Sequence, residues 1–597
     1  MKYNILLFSC LAVFIFSISS CEDFLEKPVS SNITVDSVFI SKTRTEQFLW
    51  NVYNTCSIYE FYYFWDGTDQ KYWHYGAYGS LVDAATDQLN IEATWPRIAR
   101  DMIPGNWNAT NIDIIEFNSS FCYEGIRNAN IFIENVDKSP LSTNEINSMK
   151  AEAIFLRALM HFDLMQRLGG IPIVDKVLSV ATSEDIEKIK IPRSTYEETV
   201  DFIVKSCDDA AQYLPNVYQD NRYLGRIVKG AALALKARTL LYAASPLFNS
   251  NEPYVPISNA ELRAMTGYTS HDPNRWQLAV DANKAVLDWA KNESGWCKLY
   301  NEKATPRDSY EEIFVNPAVP EIILDAGTMG TQYPWQWFLR CLLPGYIVGN
   351  WDVPVNHAIT LNFAKFYQKT DGTEQIWDEQ EGVDYPYSQY QSKLTELEPR
   401  FQASVFQSGT EYSSGSGIVY HFYESNNLML SGIQGVGFMR KFTKGVHGSS
   451  FSPRWITFRL AEFYLNYAEA LNEVNGSPIE ITAAVNEVRQ RVGLPGVSYT
   501  NRDEMREIIR RERAVELAFE QHRYFDVRRW KIAGQEGVMR GTMYKWQLYP
   551  GESATPASAY YRLEKINPDR IWDDKMYLYP FRQKEVNLGY ITQNPGW

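Results

Sequence analysis

Residues 144–168, NEINSMKAEAIFLRALMHFDLMQRL, place Met149, Ala153, Leu156, Met160, Leu164 and Leu168 at helical spacing. Gly169-Gly170 and then Pro172 stop the run, because neither residue type continues a helix. No other feature restricts the fold as much, since the pattern recurs. Residues 227–245, IVKGAALALKARTLLYAAS, are Ala-rich where a neighbouring helix can approach closely. Residues 457–473 put Leu460, Tyr464, Tyr467 and Leu471 on one side and stop at Asn475-Gly476. Residues 478–492 close at Gly493 and Pro495. Thr500 with Asp503 predicts a capping box for a further helix to about Gln521. Such helices bury their apolar stripes only against one another. The expectation is therefore a mainly α chain of tetratricopeptide-like helix–turn–helix pairs: 42–57 with 112–136, 144–168 with 195–214, 227–245 with 275–291, and 457–473 with 478–492.

Three stretches break this pattern. Residues 62–111 contain WDGTDQKYWHYGAYGS and TWPRIARDMIPGNW, turn formers mixed with aromatics. Residues 295–456 are rich in Gly, Pro, Tyr and Trp, with short strand-like runs such as EIILDAG, GIVYHFY and FMRKFT. The tail 531–597 reads as irregular. The chain thus divides into a helical-repeat part (42–294, with the aromatic insertion 62–111), a loop-rich α+β subdomain (295–456) packed on it, a last helical pair with its following helix (457–530), and the tail.

The amino-terminal end reads as a targeting segment. Lys2 precedes an apolar run from Ile5 to Phe16, too short to span a bilayer comfortably. Ile18-Ser19-Ser20-Cys21 then sets two small residues before a cysteine, as in a bacterial lipobox. Residues 1–20 are expected to be a lipoprotein signal peptide and 21–41 a segment lipidated at Cys21, anchoring the body to a membrane.

Composition excludes some functions. A net charge of −14 argues against nucleic acid, whose binding needs clustered Lys and Arg. The seven cysteines include no CxxC pair, so a disulfide scaffold and a zinc site are poor readings. HExxH, GxSxG, Walker A and GxGxxG are all absent. Gly432, Gly435 and Gly437 come closest to a glycine-rich loop, without the strand–helix context it needs. Glu512, Glu516 and Glu520 share one helical face, but Arg510, Arg511, Arg513 and Arg523 surround them. A glycosidase acid is kept protonated by an apolar setting, whereas basic neighbours favour the charged form, so structural ion pairing is the better reading.

Aromatic residues make up 14% of the chain: 17 Trp, 38 Tyr and 30 Phe. Most must be core. However, Trp65, Trp73, Trp95, Trp107, Trp335, Trp337 and Trp351 lie in segments read as loops, with Tyr72, Tyr75, Tyr78, Tyr333 and Tyr346 nearby. A sugar ring stacks its C–H face on such rings while polar neighbours satisfy its hydroxyls.

Several segments together resemble the SusD/RagB family of outer-membrane nutrient-binding lipoproteins: CEDFLEKP (21–28), EGIRNANIFIENV (124–136), AEAIFLRALMHFDLMQRLGGIPIV (151–174), KGAALALKARTLLYAAS (229–245), FRLAEFYLNYAEALNEVNG (458–476), VNEVRQRVGLPGV (485–497), IRRERAVELAFEQHRYFDVRRW (509–530) and the final QNPGW. The resemblance covers essentially the whole chain after Cys21. It implies the SusD-like fold and a surface-exposed, non-enzymatic lipoprotein without cofactor. Such a protein captures a glycan and delivers it to a SusC-like, TonB-dependent barrel in the outer membrane. Peptide cargo is the alternative; a surface glycoside hydrolase and a pure scaffold are more distant ones. Ligand contacts do not transfer by motif in this family. By position, the loop before EGIRNAN offers Trp95 and Trp107, with Arg97 and Asn108 as hydroxyl partners. The region before PVNHAITLNFAKFYQKTDG offers Tyr346 and Trp351, with Trp335 and Trp337 further back. The run WDGTDQKYWHYGAYGS adds Trp73. Asp66 and Asp69 leave a structural calcium open without arguing for it.

Overall fold

A computed structural model of the chain describes residues 35–56, 81–91, 96–328, 357–411, 418–421, 435–444 and 454–597, apart from 115, 116, 118, 180–184, 221, 222, 224 and 554. Its spine is a stack of helices: α1 (Lys42–Thr55), α2 (Ser119–Asn135), α3 (Thr143–Leu168), α4 (Tyr196–Ala211), α5 (Lys229–Ala244), α6 (Asn274–Asn292), α7 (Leu460–Glu473) and α8 (Pro478–Arg491). Each packs on the one before and the one after, including α6 on α7 across the long intervening segment. The four pairs expected from periodicity are all neighbours within this stack.

Local chemistry explains the starts of these helices. Ser142 and Glu145 form a reciprocal capping box at α3, and Thr195 with Glu198 forms another at α4. Ser477 caps α8, which has Pro478 in its first turn. Between α5 and α6 the close approach has one cause. A Cβ at Gly230 would lie 2.2 Å from the Trp289 ring. The missing side chain lets that indole bury completely and donate its N–H to Asn216 Oδ1 at 2.9 Å. Truncating a ring buried this way costs about 3–5 kcal/mol.

The helix after α8 starts and ends differently from the sequence expectation. α9 is Arg502–Glu516, its N-cap is Asn501, and Thr500 bonds Glu504 from outside the helix. It stops at Glu516, and a tight turn leads into α10 (His522–Arg529). Phe519 and Gln521 in that turn have φ of 63° and 65°, a region unfavourable for non-glycine residues.

Four sheets lie among the described residues, the smallest pairing Thr410–Glu411 with Ile418–Val419; the other three position the site. β1 (Leu89–Ile91), β2 (Ile322–Thr328), β3 (His357–Ile359), β4 (Val405–Phe406), β5 (Phe438–Met439), β6 (Arg454–Arg459), β7 (Gly541–Tyr549) and β8 (Tyr560–Arg570) are the strands that matter. One sheet runs β1-β3-β5-β4; β2 pairs with β6; and β7-β8 extends to residues Asp384–Pro386. The tail is therefore not irregular. It holds the β7–β8 hairpin, in which Trp546 faces Leu563 and Tyr549 faces Tyr560. Trp546 is fully buried, with Tyr561, Tyr390 and Trp377 centred 4.7, 5.5 and 5.4 Å away. Part of the aromatic content thus fills this core. Among the described residues Cys56, Cys122, Cys207 and Cys297 are buried free thiols, and no helix is long and apolar enough to cross a membrane.

Candidate functional site

The β1-β3-β5-β4 sheet gathers the ends of the aromatic segments. Leu81, which follows residues 57–80, donates its N–H to His357 Nε2 at 3.1 Å. His357 in turn follows residues 329–356 and pairs with Ile91, which precedes residues 92–95. Val436, just beyond residues 422–434, donates to Ile359 O at 2.7 Å, and Ile359 donates to Gly437 O at 2.9 Å. Thr328 and Arg454, at the ends of residues 329–356 and 445–453, face each other on the β2–β6 ladder. Positions hundreds of residues apart are thereby placed side by side. Trp73, Trp95, Trp335, Trp337, Tyr346 and Trp351 belong to these segments and lie outside the described residues, as do Cys21, Asp66 and Asp69.

Within the run 432–437, Gly435 has a function in the fold. A Cβ on Gly435 would come within 2.1 Å of the Ile359 carbonyl oxygen, so only glycine allows β5 to close on β3.

The strained turn after α9 fastens this sheet to the helices. Phe519 N–H donates to Gln88 Oε1 at 3.2 Å and Gln521 N–H to Asp83 Oδ2 at 2.9 Å. Arg523 clamps Asp87 with bonds of 3.0 and 2.6 Å, and Arg570 donates to Ala84 O and Leu89 O at 2.6 and 2.8 Å. Lys441 reaches across to Ala518 O at 2.8 Å and Glu520 at 2.7 Å. Burial raises the Asp83 carboxyl to about 7, and its Oδ1 has no hydrogen-bond partner.

Behind the turn, the three glutamates singled out in the sequence form a buried ionic cluster. Glu516 meets Arg459 at 2.6 Å and Arg400 at 3.0 Å, and also pairs with Arg491. Glu520 meets Arg459 at 2.7 Å, and Glu512 meets Arg489 at 2.9 Å. Burial alone would raise the Glu516 carboxyl. Arg491, Arg459 and Arg400 outweigh it and hold the group well below the usual carboxylate range. An acid fixed in its charged form cannot serve as a proton donor, so Glu516 acts structurally. The three acids are ion-paired, as expected, but with arginines of other elements. Arg510, Arg511, Arg513 and Arg523 pair instead with Glu507, Glu374, Asp526 and Asp87.

The described members of the nominated set are placed differently from the expectation. Trp107 is only 4% exposed, with Tyr579 centred 5.1 Å and Trp597 4.8 Å from its ring. It is a core residue here, because the tail folds back over the loop before α2, and it is not a stacking surface. Arg97 pairs with Asp101 at 3.0 Å. Asn108 is exposed, but its Oδ1 accepts from Thr110 N–H and Oγ1 at 2.8 and 2.6 Å, closing an Asx turn. Among the described residues no group of three or more His, Cys, Asp or Glu could hold a metal ion. Periodicity and motif spacing missed a cleft walled by Tyr218, Tyr223 and Trp296, since these rings lie in short connections.

Comparison with known proteins gives two family matches. Residues 348–597 match the SusD family, and residues 23–241 match a family described as starch-binding and associating with the outer membrane. SusD-like protein P2 of Formosa agariphila is 24% identical over 428 residues, covering 69% of this chain and 71% of its own. A SusD-like protein from Bacteroides fragilis superposes with a TM-score of 0.74 at 24% identity, covering 95% of this chain and 99% of that one. A second protein from that species, described as a SusD-like carbohydrate-binding protein, gives 0.69 at 20% identity, with 93% and 99% covered.

Proposed function

The chain belongs to the SusD/RagB family, and we propose that it is a non-catalytic glycan-binding protein of the outer-membrane surface. In this reading it captures oligosaccharide on the aromatic segments and passes it to a TonB-dependent, SusC-like barrel, while a lipid on Cys21 keeps it at the membrane. One observation carries the reading: the ends of the segments holding Trp73, Trp95, Trp335, Trp337, Tyr346 and Trp351 are brought to one sheet frame. A rigid scaffold presenting several ring-bearing segments together suits a polymer of stacked sugar faces. The family description as starch-binding and the carbohydrate-binding neighbour support the ligand class. The ion-paired state of Glu512, Glu516 and Glu520 supports binding without turnover.

The test is a glycan array on the soluble chain beginning after Cys21, followed by reducing-sugar assays on any ligand found. Saccharide binding without release of reducing ends is expected. A folded protein that binds no saccharide, or one that hydrolyses its ligand, overturns the reading.

A further inference from the structure

A cleft of about 250 Å³ lies between the connection leading into α5, the turn after α6 and the approach to β2. None of these elements carries a residue nominated above. Tyr218 and Tyr223 form one wall, their rings tilted at 57° with centroids 5.8 Å apart. Trp296 belongs to another, held edge-on to buried Trp289 with its N–H directed at Asn216 O, 3.4 Å away. Ala318, Pro320 and Asp325 also line it. Gly225 borders open space, since a Cβ there would meet only Asp325 Oδ1, at 3.8 Å.

Arg226 also lines the cleft. It is 9% exposed, and its guanidinium sits 5.0 and 4.9 Å from the Tyr218 and Tyr223 ring centroids. Nε donates to Glu152 Oε2 at 3.0 Å, and Nη2 bonds the other oxygen of the same carboxylate. Nη1 donates to no described acceptor, yet it is not among the sealed, unsatisfied atoms. A nine-tenths-buried arginine of the cleft lining thus keeps one guanidinium nitrogen without a described acceptor. Glu152 is fully buried and also accepts from the hydroxyls of Tyr53 and Tyr218, so both the arginine and one tyrosine are locked before any ligand arrives. Sites prepared in this way lose little freedom on binding.

The chemistry of the lining selects a ligand. Aromatic walls favour the C–H face of a sugar ring, and a fixed guanidinium donor beside a carboxylate suits neighbouring hydroxyls. The Arg226 charge is already cancelled by Glu152, and Asp325 adds a negative charge, so an anionic ligand is disfavoured. The volume is small beside clefts of about 300–1,000 Å³ that enclose whole ligands, which suits the end of a glycan rather than its middle. We propose that this cleft is a second saccharide site, binding the end of a neutral glycan independently of the sheet-mounted aromatic segments. Only the choice of ligand class rests on the glycan-capture reading.

The test is titration calorimetry of the whole chain from residue 22. Neutral hexasaccharides of the malto, cello, laminari and xylo series are added separately to wild type, Ala318→Trp and Trp296→Ala. Ala318 is exposed at the cleft, so a tryptophan there fills the space without entering the core. It keeps the test valid if Trp296→Ala disturbs Trp289. The expected result is a binding component in wild type that weakens about tenfold or more in Ala318→Trp, while a separate component is unchanged. A hexasaccharide that binds wild type and Ala318→Trp with identical affinity and stoichiometry overturns the second site and leaves capture at the sheet standing. Binding to none of the four overturns the second site, and the glycan array then decides separately whether capture at the sheet stands.

Discussion

Gly435→Ala tests whether the sheet frame presents the binding segments. The added Cβ would sit 2.1 Å from Ile359 O, 2.8 Å from its carbonyl carbon and 3.0 Å from its nitrogen. Real Cβ atoms essentially never approach closer than 3.0 Å, so β5 and β3 must separate by about 1 Å, and overpacking of this kind costs about 1–3 kcal/mol. The separation stretches the bond from Val436 N–H to Ile359 O, now 2.7 Å, and that from Ile359 N–H to Gly437 O, now 2.9 Å. Each lost bond adds about 1 kcal/mol, giving about 2–5 kcal/mol in all. Unfolding entropy of about 2.1 cal/mol/K per residue makes this a shift in Tm of only about 2–4 °C for so long a chain. Hydrogen exchange of peptides covering 357–360 and 435–439, together with glycan affinity, is therefore the sharper assay. Faster exchange at both strands and weaker binding are expected. Gly295→Ala is the control: nothing lies within 4 Å of its Cβ position, although its φ is +72°. A Gly435→Ala protein with wild-type exchange and wild-type affinity would refute the reasoning.

Three other perturbations have defined outcomes. Glu516→Gln leaves Arg459, Arg491 and Arg400 short of a counter-charge in a buried site, so urea denaturation should show a loss of about 3–5 kcal/mol; a loss under 1 kcal/mol would mean the cluster relaxes freely. Burial raises Asp83 from 3.8 to about 7, so the folded chain keeps a proton that the unfolded chain has released, and this group's contribution to stability falls as pH rises from about 4 through about 7. Asp83→Asn removes that dependence, so its stability relative to wild type should improve by about 2–3 kcal/mol between pH 5 and pH 8; a flat difference contradicts the assignment. Trp107→Ala should lower stability by about 3–5 kcal/mol while the folded fraction keeps its glycan affinity; Trp351→Ala should do the reverse, and identical behaviour of the two would merge roles that we keep separate.

The helical half was legible because its information is local. Apolar spacing in α3, α5 and α7, with stops at Gly169, Ser245 and Asn475, needs no knowledge of distant residues. The sheet was not legible, because its strands are two or three residues long and pair across the chain: Leu89 with Ile359, Ala358 with Phe438, and Phe406 with Phe438. Runs so short carry no period, and the one hint, Gly435, acquires meaning only when Ile359 is placed opposite it. The tail failed for a related reason. In β7, Trp546, Gln547 and Leu548 are buried in succession, so the alternation that marks a half-exposed strand is absent. Trp107 and the acids of α9 mark the two limits of reading chemistry from residue type. The glutamates showed that they are ion-paired through the arginines crowded around them in sequence, but not with which partners. Those are Arg400, Arg459, Arg489 and Arg491, from other elements, while Arg510, Arg511, Arg513 and Arg523 pair with Glu507, Glu374, Asp526 and Asp87. Trp107 could not show its role, because Tyr579 and Trp597, which cover it, come from the far end of the chain. A ring in a loop is a binding candidate only until the fold shows what packs on it; Trp296, in an equally plain connection, keeps a place in an open cleft lined also by Arg226, whose Nη1 has no acceptor among the described residues.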